Sequence, residues 1–343
     1  MEILIATFFL SIFGLFNLFG INQQLFFRQL IYILFGFVIY FFIKKIGRIF
    51  FQNNIRLFYY FFIFALIITY IIAIEIRGSK RWLDFYFFRF QASEIFKPFF
   101  ILFLSEYLYK FDIVFDSLGL LLKSFIYFFI PFFIVFKQPD LANALTFLVI
   151  YFSILFFSKI PKKQIFFFFS SFMVFIPFSW FFLKDYQKAR ILSFLNPHLD
   201  TQGTAYNISQ AIITIGSGMF FGKGLGFGTQ SRLAFLPENT TDFAFASLVE
   251  QFGFFGGSFV ILFYGWLIYI LIKKSFKYFF SHSEDEQKKF MYTFGVLIYI
   301  CFQVFVNIGM NMGILPVAGV ALPFISYGGS AIMAMMIALA LLP

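Results

Sequence analysis

The stretch PENTTDFAFASLVEQFGFFGG, residues 237–257, runs from a short polar segment directly into an apolar helix. Glu238 and Asp242 stand four residues apart at its start, and Glu250 follows inside the apolar run. An ionisable side chain at membrane depth is costly and usually faces a cavity or a partner, so these acids are candidates for a functional site. The structural alternative is that Glu238 and Asp242 cap the helix and interact favourably with its dipole.

The rest of the chain has the composition of a helical membrane protein. Hydrophobic residues make up 61% of the 343 residues and charged residues only 12%, and long apolar runs recur from end to end. This composition predicts an all-α polytopic membrane protein. The net charge of +10 is scattered between apolar segments, so we exclude nucleic acid as a partner and expect membrane lipids instead. The 66 phenylalanines are expected to act as lipid-facing filler.

Apolar runs long enough to cross about 30 Å of hydrocarbon predict about ten spans. We place them near residues 3–20, 28–43, 57–76, 94–109, 119–136, 141–158, 164–183, 243–272, 289–309 and 322–342. One long extracytoplasmic loop, residues 184–242, separates spans seven and eight, and loops of this length are usually functional. Residues 1–343 are expected to form a single integral-membrane domain. The first run lacks a basic n-region and a cleavage site, which predicts a retained span.

The basic residues of the short loops predict that the N-terminus lies in the cytoplasm. With this orientation every Lys-Lys pair falls in an inner loop, as the positive-inside rule requires. Two groups of cations then lie on the outer side: Arg77, Lys80, Arg81, Arg89 and Lys97, and Lys184, Lys188, Arg190, Lys223 and Arg232. Arg and Lys are the usual partners of phosphate, so these cations favour an anionic ligand. The alternative is solvated loop charge in contact with lipid headgroups.

Three further polar motifs fall on the same outer side as residues 237–257. They are GSKRW (78–82) with QASEIFK (91–97), KQPD (137–140), and Tyr186, Lys188 and Arg190 at the outer end of span seven. Glu94 and Lys97 are spaced to share one helix face as an ion pair, and Asp140 can cap the helix that follows Pro139. The convergence of these motifs predicts one outer site, although a structural ion pair, a helix cap and a headgroup anchor explain each motif alone.

Small and helix-breaking residues interrupt the last part of the chain. The two runs are NIGMNMGILP (307–316) and LPFISYGGS (322–330). At membrane depth such residues predict irregular backbone that lines a cavity or is buried in protein. Close packing between helices is the alternative explanation.

Several common catalytic arrangements are not expected. The single cysteine, Cys301, excludes an internal disulfide, and His198 and His282 lie in different loops, which does not favour a zinc site or a Ser-His-Asp arrangement. The glycine-rich run at residues 216–228 lacks the strand and the Gly-Lys-Ser/Thr ending of a P-loop. We therefore expect turns in this run, and no nucleotide or organic cofactor.

Four segments resemble, in order and spacing, the family of shape, elongation, division and sporulation (SEDS) proteins. They are PENTTDFAFASLVEQFGFFG, GSKRWLDFYFFRFQASEIFK, KQPDLANAL and NIGMNMGILPVAGVALPFISYGGS. The last is more similar to RodA, the elongation member, than to FtsW, the division member. The resemblance covers nearly the whole chain and implies a ten-span bacterial inner-membrane peptidoglycan glycosyltransferase, which polymerises lipid II on the outer face during cell elongation and rod-shape maintenance. It also implies a class B penicillin-binding protein and other elongation-machinery proteins as partners.

The resemblance also implies roles for individual residues. The family's essential aspartate matches Asp242, its Ser-Glu-x-x-Lys pair matches Glu94 and Lys97, and its Arg-Trp matches Arg81 and Trp82. The residues expected to contact the pyrophosphate or sugar of lipid II are Arg81, Trp82, Gln91, Glu94, Lys97, Asp140, Arg190, Glu238 and Ser326. The chain departs from the family pattern at Thr240 (usually His), Gln251 (an acid), Ala92 (Pro), Ala142-Asn143 (Gly-Thr) and Ala318 (Thr).

The chemistry of lipid II suits one carboxylate and several cations. Its sugar is α-linked to pyrophosphate and the product is β-linked, so one inverting displacement assisted by one base is enough, and Asp242 is the candidate. Release of undecaprenyl pyrophosphate needs cations, which we expect from the outer Arg and Lys residues and from a divalent cation, Mg²⁺ or Mn²⁺, at Asp242 and Glu238. The alternatives are a lipid II flippase or transporter, an FtsW-like division polymerase, and a scaffold for cell-wall enzymes.

Overall fold

The computed structural model describes residues 1–73, 80–85, 88–109, 117–195, 204–281 and 283–343. In chain order the elements are α1 (Glu2–Ile21), α2 (Gln23–Ile46), α3 (Arg48–Asn53), α4 (Ile55–Ile72), β1 (Leu83–Asp84), β2 (Arg89–Phe90), α5 (Ala92–Tyr107), α6 (Ser117–Lys137), α7 (Leu141–Phe156), α8 (Lys162–Ser179), a 3-10 turn (Trp180–Phe182), α9 (Asp185–Leu195), α10 (Thr204–Ser217), α11 (Thr229–Arg232), α12 (Ala244–Phe279), α13 (Glu284–Asn311) and α14 (Gly329–Ala340). Residues of the sequence analysis that lie outside the described part are Arg77, Gly78, Ser79, His198, His282 and the side chain of Tyr186.

Each of the ten predicted spans overlaps one helix. Within the described ranges, six helices are long and apolar enough to cross a membrane, namely α1, α2, α4, α6, α12 and α13. Helices α7 and α14 are apolar but shorter. The structure therefore confirms a membrane protein built mainly from apolar helices, and the total of ten spans stays a prediction.

The last predicted span is wrong at its start, because the helix begins at Gly329 and not near residue 322. Residues 312–328 form turns and irregular backbone. Pro316 and Pro323 have no backbone N–H to donate within a helix, and Gly313 and Gly319 adopt φ angles of +71° and +73° that favour glycine. The predicted irregular backbone in this region is confirmed.

Two further features differ from the prediction. The chain is nearly, but not wholly, helical, because β1 and β2 pair antiparallel in a region predicted only as a loop. The described residues of the segment at 184–242 include three helices, α9, α10 and α11. In α10, Ile208, Ala211 and Ile215 lie at helical spacing and pack in a hydrophobic cluster with Phe243 and Met310, and Phe243 directly follows Asp242 in the chain.

The chain divides into two compact units. The first comprises Met1–Gly36, Leu183–Ile270 and Ile300–Ile332, and the second comprises Phe37–Phe182, Leu271–Tyr299 and Met333–Pro343. The single domain expected from the sequence stays a prediction.

Aromatic side chains form much of the core of the second unit. Tyr59 stacks on Phe103 with ring centroids 4.4 Å apart, and Phe128 stacks on Tyr151 at the same distance. Such stacked pairs add about 0.5–1.5 kcal/mol to the free energy of burial. Some phenylalanines are therefore core residues. Others are exposed, as the composition predicted, and Phe42 with an exposed fraction of 62% is an example.

Candidate functional site

Asp242 lies two residues before α12, in a turn whose backbone is fixed from α13. Its carbonyl oxygen accepts hydrogen bonds from the amide nitrogens of Asn307 and Asn311, both at 3.0 Å. Both asparagines are fully buried. Asn311 also accepts a hydrogen bond from the backbone N–H of Ala246 at 3.0 Å. Side-chain amides in a buried site thus set the position of Asp242, and each such bond is costly to remove.

The irregular segment at residues 312–328 holds the same turn from another direction. The hydroxyl of Ser326 donates to the carbonyl of Thr241 at 2.6 Å and accepts from the N–H of Leu322 at 2.9 Å. The N–H of Tyr327 donates to the carbonyl of Thr240 at 2.8 Å. The hydroxyl of Ser326 therefore links the backbone of Leu322 to that of Thr241, the residue before Asp242. The contact of Ser326 with lipid II stays a prediction.

Arg190 and Asp242 meet at Gly319. A Cβ atom at Gly319 would lie 3.6 Å from Asp242 Oδ2 and 3.7 Å from Arg190 Nη1, so the carboxylate and the guanidinium approach the same point. Arg190 Nη1 also donates to the carbonyl of Val317 at 3.4 Å. Two of the predicted outer motifs are thus brought together within the first unit.

Substitution of Gly319 by Ala is expected to lower activity more than stability. The new methyl group would lie in van der Waals contact with both Asp242 Oδ2 and Arg190 Nη1, so it would occupy space that a substrate needs in order to reach these two groups. We expect the rate of the glycosyl transfer that the resemblance implies to fall by about tenfold or more, because a substrate displaced by about 1 Å can lose on the order of 100-fold in rate. The control is Gly47→Ala, which has a similar positive φ of +89° but no neighbouring atom within 4 Å. Equal rates for the two variants would contradict this role.

Glu238 and Asp242 are the predicted ligands of a divalent cation. Glu238 Oε2 accepts a hydrogen bond from Thr241 Oγ1 at 2.9 Å. Within the part of the chain that the structure describes, no group of three or more His, Cys, Asp or Glu residues is placed to hold a metal. Mg²⁺ is commonly held by one or two carboxylates, with waters and substrate phosphates as the other ligands. Two carboxylates are thus the donor set predicted for this cation, and the cation itself stays a prediction.

Two more predicted motifs meet in the second unit around Asp140. Its carboxylate accepts hydrogen bonds from Gln91 Nε2 at 2.9 Å and from Asn143 Nδ2 at 2.8 Å. It also caps α7 through the N–H of Asn143 at 3.3 Å, as predicted. Arg81 Nη1 lies 3.7 Å from the same carboxylate. Asn143, which departs from the family pattern, therefore holds the Asp140 carboxylate directly. Trp82, the residue that follows Arg81 in the chain, is half-buried.

Glu94 and Lys97 form the ion pair predicted from their spacing, with Lys97 Nζ 2.8 Å from Glu94 Oε1. Lys97 is fully buried and Glu94 is 7% exposed. Tyr299 completes the group, because its hydroxyl donates to Glu94 Oε2 at 3.4 Å and its ring centroid lies 5.0 Å from Lys97 Nζ. Tyr299 was not among the predicted site residues, because α13 is far from α5 in the chain.

Glu250 is buried where the glycine-rich segment folds onto α12. Its carboxylate accepts hydrogen bonds from the N–H groups of Gln230 and Ser231 at 2.8 and 2.9 Å and from Ser231 Oγ at 2.6 Å. Lys223 Nζ lies 3.3 Å away. Glu250 therefore anchors the segment that leads from α10 to α11.

The neighbouring departure, Gln251, belongs to the same anchor. Its amide nitrogen donates to Asn17 Oδ1 at 2.7 Å, and its amide oxygen accepts from the N–H of Gly226 at 3.1 Å. A carboxylate at this position has no proton to donate when ionised. The glutamine is therefore suited to its partners in this chain.

Substitution of Glu250 by Ala is expected to lower the free energy of unfolding by about 1–3 kcal/mol, because several donors lose their acceptor. The segment at residues 219–231 should then become more sensitive to proteolysis. Thermal unfolding in detergent and limited proteolysis measure both effects. The matched control is Glu2→Ala, since Glu2 is exposed. Unchanged proteolysis of the Glu250 variant would refute the anchoring role.

Two proteins of known name are similar in sequence to this chain over most of its length. The chain is 38% identical to the peptidoglycan glycosyltransferase MrdB of Escherichia coli (strain K12) over 261 residues, which cover 76% of this chain and 69% of MrdB. It is 33% identical to the probable peptidoglycan glycosyltransferase FtsW of Borreliella burgdorferi over 334 residues, 96% of this chain and 88% of that protein.

Two solved structures share the fold. One belongs to a peptidoglycan synthase complex described for its structural coordination of polymerization and crosslinking, with a TM-score of 0.82, 24% identity, and coverage of 99% of this chain and 95% of that chain. The other is the rod shape determining protein RodA of Thermus thermophilus, with a TM-score of 0.71, 20% identity, and coverage of 99% and 94%.

The family relationship rests on nearly the full length of the chain. The family model for FtsW, RodA and SpoVE, described as "Cell cycle protein", matches residues 3–343. The resemblance predicted from four sequence segments is thereby confirmed. The chain belongs to the FtsW, RodA and SpoVE family of cell cycle proteins.

Proposed function

We propose that this protein polymerises lipid II into the glycan strands of peptidoglycan and acts in cell elongation. The observation that carries the proposal is the approach of the Asp242 carboxylate and the Arg190 guanidinium to one point at Gly319. The names of the relatives, MrdB and FtsW, support the reaction class. The assignment to elongation rests on the RodA-like segment at residues 307–330, and a division role like that of FtsW is the alternative.

In this proposal Asp242 is the general base. Its carboxylate takes the proton from the attacking hydroxyl of the acceptor sugar, while that oxygen forms a bond to the anomeric carbon of the donor. The bond from that carbon to the pyrophosphate breaks on the opposite face, so the configuration inverts and undecaprenyl pyrophosphate leaves. Arg190 stabilises the negative charge that grows on the leaving pyrophosphate.

The role in binding lipid II that the resemblance implies for polar groups of the second unit is also part of the proposal. Arg81 and Trp82 are half-buried and not enclosed, so they are the candidates for contact with pyrophosphate and sugar. Gln91 and Asp140 hold each other, and Asp140 attracts Arg81. We therefore propose that Gln91 and Asp140 orient Arg81. The buried ion pair of Glu94 and Lys97 stabilises α5, the helix to which both residues belong. The resemblance also implies that both residues bind substrate.

The setting and partners follow from the same family. We propose ten spans in the bacterial inner membrane, an active site on the outer face, and a class B penicillin-binding protein as partner. The relative that is part of a peptidoglycan synthase complex supports this partner. A divalent cation at Asp242 and Glu238 would supply further positive charge for pyrophosphate. Loss of polymerisation on chelation, with recovery on addition of Mg²⁺ or Mn²⁺, is the expected result.

The proposed function is tested with purified lipid II in detergent. Wild-type protein is incubated alone and with its class B partner, and the products are separated by gel electrophoresis. Glycan strands in either sample are the expected result, and a mixture that contains only unreacted lipid II in both samples would contradict the proposal. Comparison of the two samples also shows whether polymerisation requires the class B partner.

A further inference from the structure

A cluster of cations lies in the second unit, at helix ends that the sequence predicts on the cytoplasmic side. Lys44 lies near the end of α2, Arg48 begins α3, and Lys274 and Lys277 lie near the end of α12. The charge of Lys274 is within electrostatic range of Lys44, Arg48 and Lys277. The positive-inside rule accounts for cations in each loop. It does not account for two loops, far apart in the sequence, that bring their cations together against mutual repulsion.

Arg48 contributes a buried guanidinium group to this cluster. All three guanidinium nitrogens are buried and none has a hydrogen-bond partner within the described residues. The guanidinium carbon lies 5.0 Å from the ring centroid of Tyr292, which covers one face of the group. The hydroxyl of Ser275, next to Lys274, is also buried without a partner in the described part of the chain. Buried donors are normally satisfied, so these N–H edges indicate a place for an acceptor.

The nearby acids do not neutralise the cluster. Glu106 and Asp285 are within electrostatic range of Arg48. Glu106 lies 3.6 Å from Lys288 Nζ, and Asp285 forms an ion pair with Lys289. Lys288 is also paired with Glu284 at 2.7 Å, so it matches Glu106 only in part. The two acids nevertheless stand against four cations, Lys44, Arg48, Lys274 and Lys277, so the cluster keeps an excess of positive charge.

We propose that Arg48, together with Lys44, Lys274 and Lys277, binds the phosphate group of an anionic ligand at the membrane surface. A guanidinium whose face is stacked presents its edge as a fork that matches two phosphate oxygens, and lysines add point charges. Lys44 and Lys277 are exposed and accessible, and Lys44 gives one hydrogen bond to the carbonyl of Leu342 at 2.7 Å. Basic pockets at such helix ends suit phospholipid headgroups. The site goes beyond the proposed function and does not depend on it.

The test compares the binding of phosphate from a lipid and from solution. The protein is placed in nanodiscs of phosphatidylethanolamine with or without phosphatidylglycerol, and retained lipid is measured by native mass spectrometry. A second arm measures thermal stabilisation in detergent by inorganic phosphate. We expect wild type to retain phosphatidylglycerol, and Arg48→Gln to retain it about tenfold less, the loss that corresponds to one charged hydrogen bond.

Two variants keep the test decisive. Lys45→Gln removes an exposed neighbouring charge outside the cluster and should bind as wild type does. Lys274→Gln probes the same site if Arg48→Gln does not fold. Stabilisation by inorganic phosphate that is lost in the cluster variants would support the site with a soluble phosphate compound as its ligand. Equal retention by wild type, Arg48→Gln and Lys274→Gln, with no phosphate effect in any of them, would overturn the proposal.

Discussion

Asp242→Asn is expected to lower the rate of lipid II polymerisation by about 10²–10⁴-fold, the usual contribution of a general base. Asparagine has nearly the same shape as aspartate but cannot accept the proton of the attacking hydroxyl at neutral pH. Folding should be preserved, because Asn307 and Asn311 hold the backbone carbonyl of residue 242 and not its side chain. The measurement is the initial rate of strand formation at saturating lipid II, with thermal unfolding of the same samples.

The matched control is Asp185→Asn, because Asp185 is an exposed acid at the start of α9 in the same unit. This control should polymerise at the wild-type rate. A folded Asp242→Asn protein that also works at the wild-type rate would remove Asp242 from the chemistry and leave its role as a structural one before α12.

Glu94→Gln is expected to lower the free energy of unfolding by about 3–5 kcal/mol. Lys97 is fully buried and its ammonium lies 2.8 Å from Glu94, so loss of the carboxylate leaves a buried charge without its ion-pair partner in a region of low dielectric constant. Tyr299 also loses an anionic acceptor for its hydroxyl. Thermal unfolding in detergent, followed by circular dichroism, should show a clear fall in the midpoint temperature.

Two controls separate the buried charge from other causes. The double variant Glu94→Gln/Lys97→Met removes both charges and should recover much of the lost stability. Glu284→Gln breaks the exposed pair in which Glu284 lies 2.7 Å from Lys288, and should cost less than about 1 kcal/mol. A Glu94 variant as stable as the Glu284 variant would show that the buried pair does not stabilise the second unit.

Local sequence patterns predicted the features that depend on nearby residues. The apolar runs predicted the positions of the helices, because a span needs a fixed length of apolar chain. The spacing of Glu94 and Lys97 predicted their ion pair, and Asp140 after Pro139 predicted a helix cap. Each of these features is determined by the geometry of one helix or one turn, so the sequence within a few residues was sufficient.

Features that depend on distant residues were not predicted. Nothing in the local sequence indicates that Gly319 separates Arg190 from Asp242, because three segments far apart in the chain meet there. Asn307 and Asn311 belong to a segment whose interrupted pattern was recognised in the sequence, and they occupy positions i and i+4 of an apolar helix. That spacing on one face was the signal that identifies them as hydrogen-bonding residues.

Asp242 and Arg190 are proposed to form the catalytic centre of a polymerase and not the binding site of a lipid carrier. Two quantities measured in the same proteoliposomes distinguish these possibilities: the amount of glycan strand formed and the transbilayer movement of labelled lipid II. The proteoliposomes contain the class B partner and either wild-type protein or Asp242→Asn. We expect glycan strands from wild type and about 10²–10⁴-fold less from the variant. Transbilayer movement of lipid II by wild type, with no glycan strands, would contradict the polymerase assignment.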